Sequence, residues 1–590
     1  MKKLKTLLVG INSKYIHSNL AVRYLREYTK ELDYECKIRE FSINDRRERI
    51  LKEIISEEAD IIAFSCYIWN IELIKELANL IKIVNSNIKI IYGGPEVSFD
   101  GREFLTLNPG EYLIEGEGEE TFKELIEFEI YNFKSKILDS NSKNNFTNED
   151  SFGKIDGNNK SINEIKGLFY KIDEKVFYNS KRKNIDINQV VFPYDENDDL
   201  KNKIVYYEAS RGCPYGCKYC LSSVDKNLRF RNIETVKKEL KYFIDKEVRL
   251  VKFVDRTFNA NEQFAIDIWQ FLIEQNTNTK FHFEISANIL TEKQFNVLSK
   301  SPKGRLQFEV GVQTTNNKIL RNINRYVNFK DIEEKVEEIK KLNNISQHLD
   351  LIAGLPGEDL NSFINSFNDV YSIKPEEIQL GFLKLLKGSP MLEEKDKWGM
   401  KYSPYPPYEI LSTKDISYDE ILLLKKVEAM VDKYYNSGKF NNIISYFELK
   451  FDTPFEFYYQ LGEFFEQKGY FDRNISGTDY YKVFLEFNSE KLREDNDILK
   501  DIIKYDYVKY NKKSWVPKFL ETKIHKKLTN EIKEKIIENN PKANKNKLYL
   551  QEFNIDINEF ISSKKIIKKN IYLVYDGENE NNITDVTSII

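Results

Sequence analysis

Cysteine is scarce in this chain: five occur in 590 residues, and three of them fall within eight positions. Long apolar runs are missing. No stretch approaches the ~18 apolar residues that cross a bilayer, which excludes a membrane-spanning helix. Met1-Lys-Lys-Leu-Lys leads into an apolar strand and not into a secretory leader. An excess of one charge is missing too. Lys and Arg number 90 against 94 Asp and Glu, a formal net of −4, so no polyanion-binding tail is expected. These absences point to the cytoplasm, where thiols stay reduced. Cys36 and Cys66 stand alone in apolar or mixed surroundings and read as ordinary cysteines. What is present suffices to fold. Hydrophobic residues make up 41%, and at ~100–200 residues per domain the length implies several domains.

The three clustered cysteines lie in Glu208-Ala-Ser-Arg-Gly-Cys213-Pro-Tyr-Gly-Cys217-Lys-Tyr-Cys220, spaced C-x3-C-x2-C. Thiolates are the ligands of iron–sulfur clusters. Three on one loop hold three irons of a 4Fe–4S cubane and leave the fourth open to a small molecule. Gly212, Pro214 and Gly216 let the loop curl so that the sulfurs converge. A structural zinc site wants four ligands, and no fourth Cys or His lies nearby. An odd trio in a reducing compartment has no disulfide pairing.

This loop, with Tyr219 before the last cysteine, resembles the signature of the radical S-adenosylmethionine (SAM) enzymes. The wording Ser-Arg-Gly-Cys-Pro-Tyr-Gly-Cys is similar to the branch whose members often carry an N-terminal cobalamin-binding domain. The fold the resemblance implies has three parts. They are a doubly wound, Rossmann-like cobalamin-binding domain, a partial (β/α)6 TIM barrel as radical SAM core, and a mainly helical C-terminal domain.

The patterning agrees with that order. Residues 1–128 alternate apolar strands (4–11, 35–41, 60–65, 88–92) with amphipathic helices (19–31, 46–57, 70–84). That alternation is the mark of a parallel α/β sheet, in which ligands sit beyond the carboxyl ends of the strands. Ser65, Gly93 and Gly94 lie at such ends and are the candidate cobalamin contacts. The Asp-x-His-x-x-Gly motif of cobalamin mutases is absent. His17, although it sits in a strand-end loop, is therefore expected to form hydrogen bonds and not to ligate cobalt. Glu115-Gly-Glu-Gly-Glu119 resembles the acidic turn that ends such domains, or is solvated charge before a helix.

Residues 129–200 read as a linker. The polar stretch 139–164 is too poor in apolar residues to order itself, and a hairpin-like segment follows within 165–186. The core, 201–392, offers six strands (203–208, 249–254, 281–285, 305–312, 348–353, 378–386) with helices between, one of them N-capped by Asp331. Six units are fewer than the eight of a closed barrel. Catalytic groups belong at the strand ends. The resemblance, closest here to the coproporphyrinogen-oxidase-like branch, implies roles for several residues there. Asp255 and Glu284 would contact SAM, and Gln313 of Gly-Val-Gln-Thr would face its ribose or methionine part. Arg325 would pair with the SAM carboxylate, Asp350 with the ribose hydroxyls, and Gly354 and Gly357 of Gly-Leu-Pro-Gly-Glu would pack near adenine. His282 and His348 sit inside strands and suit core or hydrogen-bonding roles. Beyond Pro404-Tyr-Pro-Pro-Tyr408, residues 393–590 form aromatic-rich helices and end in a strand near 570–575, with Ser417 capping the first helix.

The implied enzyme is oxygen-sensitive and cleaves SAM reductively at a 4Fe–4S cluster, with cobalamin for methyl transfer or a cyclase-type step on a small molecule. It would need an electron donor such as flavodoxin or ferredoxin, and neither membrane nor nucleic acid is called for. Two rivals stand beside it. An RNA-modifying methylthiotransferase would want a second cysteine trio in the first domain, and a non-catalytic cobalamin or cluster sensor would cleave no SAM.

Overall fold

The computed structural model describes residues 2–141, 161–511, 515–522, 524, 526–539, 543–577 and 583–589. The chain divides into two compact units. The first comprises Met1–Gln347, Gly354–Glu358 and Phe382–Asp415; the second comprises His348–Ala353, Asp359–Gly381 and Ile416–Ile590.

The first unit opens with β1 (Lys5–Asn12), α1 (Leu20–Tyr28), β2 (Glu35–Ser42), α2 (Arg47–Ser56), β3 (Ile61–Ser65), α3 (Ile71–Val84), β4 (Lys89–Gly93), α4 (Gly101–Leu107), β5 (Tyr112–Ile114) and α5 (Glu119–Asn141). The five strands are parallel, and a hairpin of β6 (Leu168–Ile172) and β7 (Lys175–Tyr178) extends them antiparallel, in the order β2-β1-β3-β4-β5-β6-β7. Two apolar clusters, one on each face, bury these strands. Burial on both faces is why they read as unbroken apolar runs. The hairpin was expected inside a linker, yet it completes this sheet. Its Phe169 and Val176 join one cluster and Leu168 and Tyr170 the other, so its period-2 pattern already carried two buried faces. The polar stretch expected to be mobile lies largely at 142–160, outside the described residues.

The first unit then carries β8 (Ile204–Tyr207), a ribbon of β9 (Ser210–Arg211) and β10 (Arg229–Phe230), α6 (Ile233–Asp245), β11 (Leu250–Phe253), α7 (Glu262–Glu274), β12 (Lys280–Ile285), α8 (Glu292–Leu298) and β13 (Leu306–Gln313). Strands β8, β11, β12 and β13 are parallel neighbours. Two helices follow, α9 (Asn317–Asn322) and α10 (Phe329–Leu342). The cap of α10 is Asn328, whose side chain accepts from the Lys330 N–H. Asp331, expected as the cap, instead lies in the first turn, where its charge meets the helix dipole. The fifth and sixth expected strands are β14 (Ser346–Ala353) and β15 (Glu377–Phe382), adjacent to each other.

The second unit is mainly helical. Ser417 and Glu420 form the expected capping box at Tyr418–Met430. Helices Asn441–Glu448, Pro454–Gln467, Asp479–Phe487 and Asp497–Tyr510 follow, packed through buried Tyr434, Phe447, Tyr458 and Phe484. The terminal strand, Lys568–Asp576, pairs with Leu548–Ile555 and Ile583–Asp585. Buried Asp501 and Lys504 cover the edge of Leu548–Ile555. The carboxylate accepts from the Asn554 N–H and the ammonium donates to the Glu552 carbonyl, as a neighbouring strand would.

Candidate functional site

The cysteine loop starts where β8 ends. Asp255, the second residue after β11, is buried and holds the incoming strand. Its carboxylate accepts from the Ala209 N–H at 3.0 Å and from the Ser210 hydroxyl. Burial pushes this carboxyl up to about 7, although the Ser210 hydrogen bond opposes the shift. Asp255 thus braces the cluster loop, and both its oxygens are engaged within the protein. Gly212 turns the chain at φ +91°; a Cβ there would lie 2.4 Å from the Asn227 carbonyl oxygen, so no other residue passes. Cys213 and Cys217 are buried and Cys220 is half-buried. The Cys217 thiol is pushed up by burial first, while Arg325 draws it down; Cys220 and Cys213 both lie within electrostatic reach. Among the described residues no three His, Cys, Asp or Glu side chains converge on one metal ion.

Gln313 ends β13 at φ +73° and its side chain folds back over Gly311, where a Cβ would lie 2.2 Å from Nε2. Arg325 donates to the Gly311 carbonyl and reaches Tyr219 and Cys217. Gln313 Oε1 and Arg325 Nε are buried without a hydrogen-bond partner, as expected of groups that await a polar ligand. Glu284 on β12 faces Arg256, 3.6 Å away; burial pushes its carboxyl up and Arg256 opposes the shift. Gly354 and Gly357, both in the left-handed region, turn the chain toward Glu358, which accepts from the Thr314 hydroxyl. Asp350 is placed on β14, in the second unit. The first unit therefore gathers the cysteines, Tyr219, Gln313 and Arg325, with Glu284 joined through Arg256.

Arg256 was missed from the sequence, although it directly follows Asp255. It lies within electrostatic reach of Cys220, Glu284, Glu309 and Tyr67. Tyr67 belongs to the loop after β3, where it stacks on Trp69 at 4.4 Å; Trp69 and Phe99, after β4, are exposed. The strand-end loops of the first sheet thus meet the strand ends of the second. Ser65 is buried and takes a hydrogen bond from Asn19 at 3.3 Å. Gly93 has ordinary room for a Cβ, whereas at Gly94 (φ +121°) one would lie 2.4 Å from the Cys66 carbonyl oxygen. His17 forms hydrogen bonds, as expected: Nδ1 is 2.7 Å from the Tyr206 hydroxyl. The acidic turn is neither solvated nor free. Glu119 pairs with Arg211 at 2.6 Å and Glu117 with Arg229, so it clasps the two ribbon strands that frame the cysteine loop.

Family models match in three places: a B12 binding domain over residues 6–126, the radical SAM superfamily over 207–370, and a protein of unknown function (DUF4080) over 396–583. The chain carries a B12-binding domain followed by a radical SAM domain. Relatives of this radical SAM enzyme include the uncharacterized methyltransferase PH0819 of Pyrococcus horikoshii, 24% identical over 58% of this chain and 70% of that one. The cobalamin-dependent radical SAM methyltransferase TokK of Streptomyces tokunonensis is 22% identical over 63% of this chain, which spans about half, 54%, of TokK. Among solved structures, the radical SAM methyltransferase TsrM of Kitasatospora setae, with cobalamin and a [4Fe-4S] cluster bound, shares the fold. Its TM-score is 0.53 at 14% identity, covering 69% of this chain and 82% of that one.

The cofactors of this radical SAM enzyme are a 4Fe–4S cluster, SAM and cobalamin, and the residues fit them. Three thiols on one loop suit the cluster; the orphaned Arg325 Nε–H suits a ligand carboxylate, and the orphaned Gln313 Oε1 suits a ligand ammonium or hydroxyl donor. Trp69 and Phe99 offer exposed aromatic surface for a large ring system. No described helix is long and apolar enough to cross a membrane.

Proposed function

We propose that this enzyme transfers a methyl group to an unactivated carbon of a small molecule. One observation carries the reading. Arg256 stands within reach of Cys220 on the cluster loop, Glu284 on the SAM side and Tyr67 on the cobalamin side, so a substrate there is open to both cofactors. When bound, the cluster supplies an electron for cleaving SAM, and cobalamin supplies a methyl carrier.

The chain's own residues position and shield. Arg325 holds the SAM carboxylate by a charge-assisted pair, with Gln313 and Glu284 on its other polar groups and Gly354 and Gly357 completing the cradle. Tyr67 and Trp69 line the first sheet's end, where Ser65, Gly93 and Gly94 shape the loops against cobalamin. The Glu119–Arg211 and Glu117–Arg229 pairs fix the cysteine loop relative to that end. Small one-electron carriers such as flavodoxin or ferredoxin would reduce the cluster.

A methylthiotransferase is disfavoured, because the remaining thiols are isolated and inert. Burial pushes Cys36 up to about 11 and Cys66 up to about 12. The test is anaerobic reconstitution with iron, sulfide and hydroxocobalamin, then gel filtration, an absorption spectrum and SAM cleavage. Cys217→Ser should abolish the brown absorbance and all cleavage, because a hydroxyl is a poor iron ligand beside thiolate. Full cleavage by that variant overturns the assignment. A wild-type protein with complete cluster that retains no cobalamin removes the methyl-transfer reading. Metabolite comparison of deletion and parent strains then identifies the substrate.

A further inference from the structure

The guanidiniums around the cysteine loop are closely held, with one exception. Arg231 meets both Glu239 oxygens, at 2.6 and 2.7 Å, and the Val190 carbonyl at 3.2 Å. Arg211 reaches Glu119 at 2.6 Å and Glu208 at 2.9 Å. Arg325 donates to the Gly311 carbonyl. Arg256 has, among the described residues, one ion pair, with Glu284 at 3.6 Å, which is longer than a hydrogen bond. Its side chain is 53% exposed, whereas those of Arg231 and Arg211 are 3% and 12% exposed.

The backbone on either side of Arg256 is pinned. Asp255, before it, accepts from the Ala209 N–H and the Ser210 hydroxyl. Thr257, after it, is buried with its hydroxyl oxygen 3.7 Å from the Cys213 sulfur. Phe258 then packs against Phe253 and Phe283. The guanidinium is left open at the end of β11, on the side of the polar strand face, within electrostatic reach of Cys220 and Tyr67. The acids of that face are engaged. Glu309 binds His282 at 2.9 Å and Lys252 at 3.2 Å. With Glu284 engaged by SAM, the planar fork of five donors is left for an acceptor from outside the protein. That fork matches the paired oxygens of a carboxylate or a phosphate. A neutral or cationic molecule closing over it would bury the charge without a partner, which is costly.

We propose that Arg256 anchors the substrate through an oxyanion, a carboxylate or phosphate group, so that the molecule methylated is an organic anion. The inference rests on the methyl-transfer reading above and adds to it the charge of the substrate. The two guanidiniums then divide the work: Arg325 serves the carboxylate of SAM and Arg256 the oxyanion of the substrate. Arg256 makes and breaks no bond; it fixes which part of the substrate lies nearest the cofactors.

The test uses the reconstituted full-length enzyme, SAM with a CD3 methyl group, and a small-molecule extract of the parent strain. Ion exchange at pH 7 separates the extract into anionic, neutral and cationic fractions. Mass spectrometry should find the CD3 group in a product of the anionic fraction. Prior phosphatase treatment of that fraction should abolish the transfer if the oxyanion is a phosphate and leave it intact if it is a carboxylate. Arg256→Ala should raise the amount of anionic fraction needed for half-maximal transfer about a hundredfold. Arg256→Lys, which keeps the charge and loses the fork, should raise it about tenfold. Cluster absorbance, and SAM affinity by calorimetry, should stay at the wild-type level in both. A second readout needs no turnover. Phenylglyoxal labels accessible guanidiniums, and peptide mass mapping should show Arg256 protected by the anionic fraction and not by the neutral one. Transfer of CD3 to a neutral or cationic molecule overturns the proposal. So does wild-type half-saturation in Arg256→Ala; if SAM affinity falls there instead, the guanidinium belongs to SAM. If no fraction accepts CD3, the methyl-transfer reading fails, and the phenylglyoxal protection still decides whether an anion sits on Arg256.

Discussion

The first unit contains two parallel arrays that bury themselves differently. In the first sheet β3 is buried at every position and β1 at all but its first. In the second, β13 alternates buried and half-buried residues until its last two positions. One face of this second array packs under helices: Trp269 of α7 lies against Phe283 and Phe308. The other face carries Lys252, His282, Glu284, Gln307 and Glu309. These polar groups answer one another. Burial pushes the Glu309 carboxyl up, yet the His282 hydrogen bond at 2.9 Å and Lys252 at 3.2 Å outweigh it and hold the group at about 2. A sheet covered on both faces can offer a ligand only its strand ends and their loops. An array open on one face can also bind along its strands. The first therefore suits a large, flat cofactor at its edge, and the second a chain-like one laid across it.

The strongest blow to the first array falls on its strand end. Gly94→Val puts a branched side chain at φ +121° and against the Cys66 backbone. The backbone alone costs on the order of 1–3 kcal/mol, and the overlap adds to it. The variant should retain no cobalamin after gel filtration and should melt earlier than wild type. Gly93→Ala meets nothing closer than 3.9 Å and should retain the cofactor. Equal behaviour of the two would show that this strand end does not shape the cobalamin site. On the second array, Arg325→Ala should weaken SAM binding by roughly 1.5–3 kcal/mol, the worth of a charge-assisted hydrogen bond, with cluster absorbance unchanged. Unaltered SAM affinity by calorimetry would detach Arg325 from the carboxylate.

The difference between the arrays was legible in the sequence. Leu-Leu-Val-Gly-Ile reads as buried on both faces and Leu-Gln-Phe-Glu-Val-Gly-Val as buried on one. The cysteine loop was legible because ligand type and spacing are local. The β6–β7 hairpin was misplaced because its partner, β5, is 54 residues earlier by register (Ile114 with Leu168) and short; pairing at that distance leaves no local trace. Arg256 and the Glu119–Arg211 clasp were missed for the same reason, since each acts through a residue distant in sequence. At Gly94, expected beside a ligand, the missing side chain makes room for the Cys66 backbone, a contact that the sequence does not show.

A smaller effect separates bracing from binding at Asp255. Its folded carboxyl titrates at about 7, above the ordinary 3.8, because burial favours the neutral form. The folded state thus holds the proton more tightly, and this group's contribution to stability falls as pH rises from about 4 to about 7. Asp255→Asn keeps an acceptor for the Ala209 N–H and a partner for Ser210. Thermal melts of the variant should depend less on pH across that window, with cluster content and SAM affinity near wild type. A marked loss of SAM affinity would restore the direct contact with SAM expected from the sequence.

The smallest effect lies at the seam between the arrays. The Ile204 N–H of β8 donates to the Ile16 carbonyl at 2.7 Å, and beside it His17 Nδ1 meets the Tyr206 hydroxyl. Burial lowers the His17 pKa, and Lys14, Lys252 and Lys203 lower it further, so the imidazole is neutral at pH 7. A base with a lowered folded pKa supports the fold above its unfolded value of 6.5, and that support is lost as pH falls below it. His17→Ala removes one hydrogen bond, worth about 0.5–1.5 kcal/mol, and also removes this acid sensitivity. Its melting temperature should therefore drop slightly at pH 7.5 and approach that of wild type at pH 5.5. Cobalamin should remain bound through gel filtration, because the ring nitrogen already serves Tyr206. Loss of cobalamin with an unchanged melt would instead make His17 a ligand and turn the seam into part of the cofactor site.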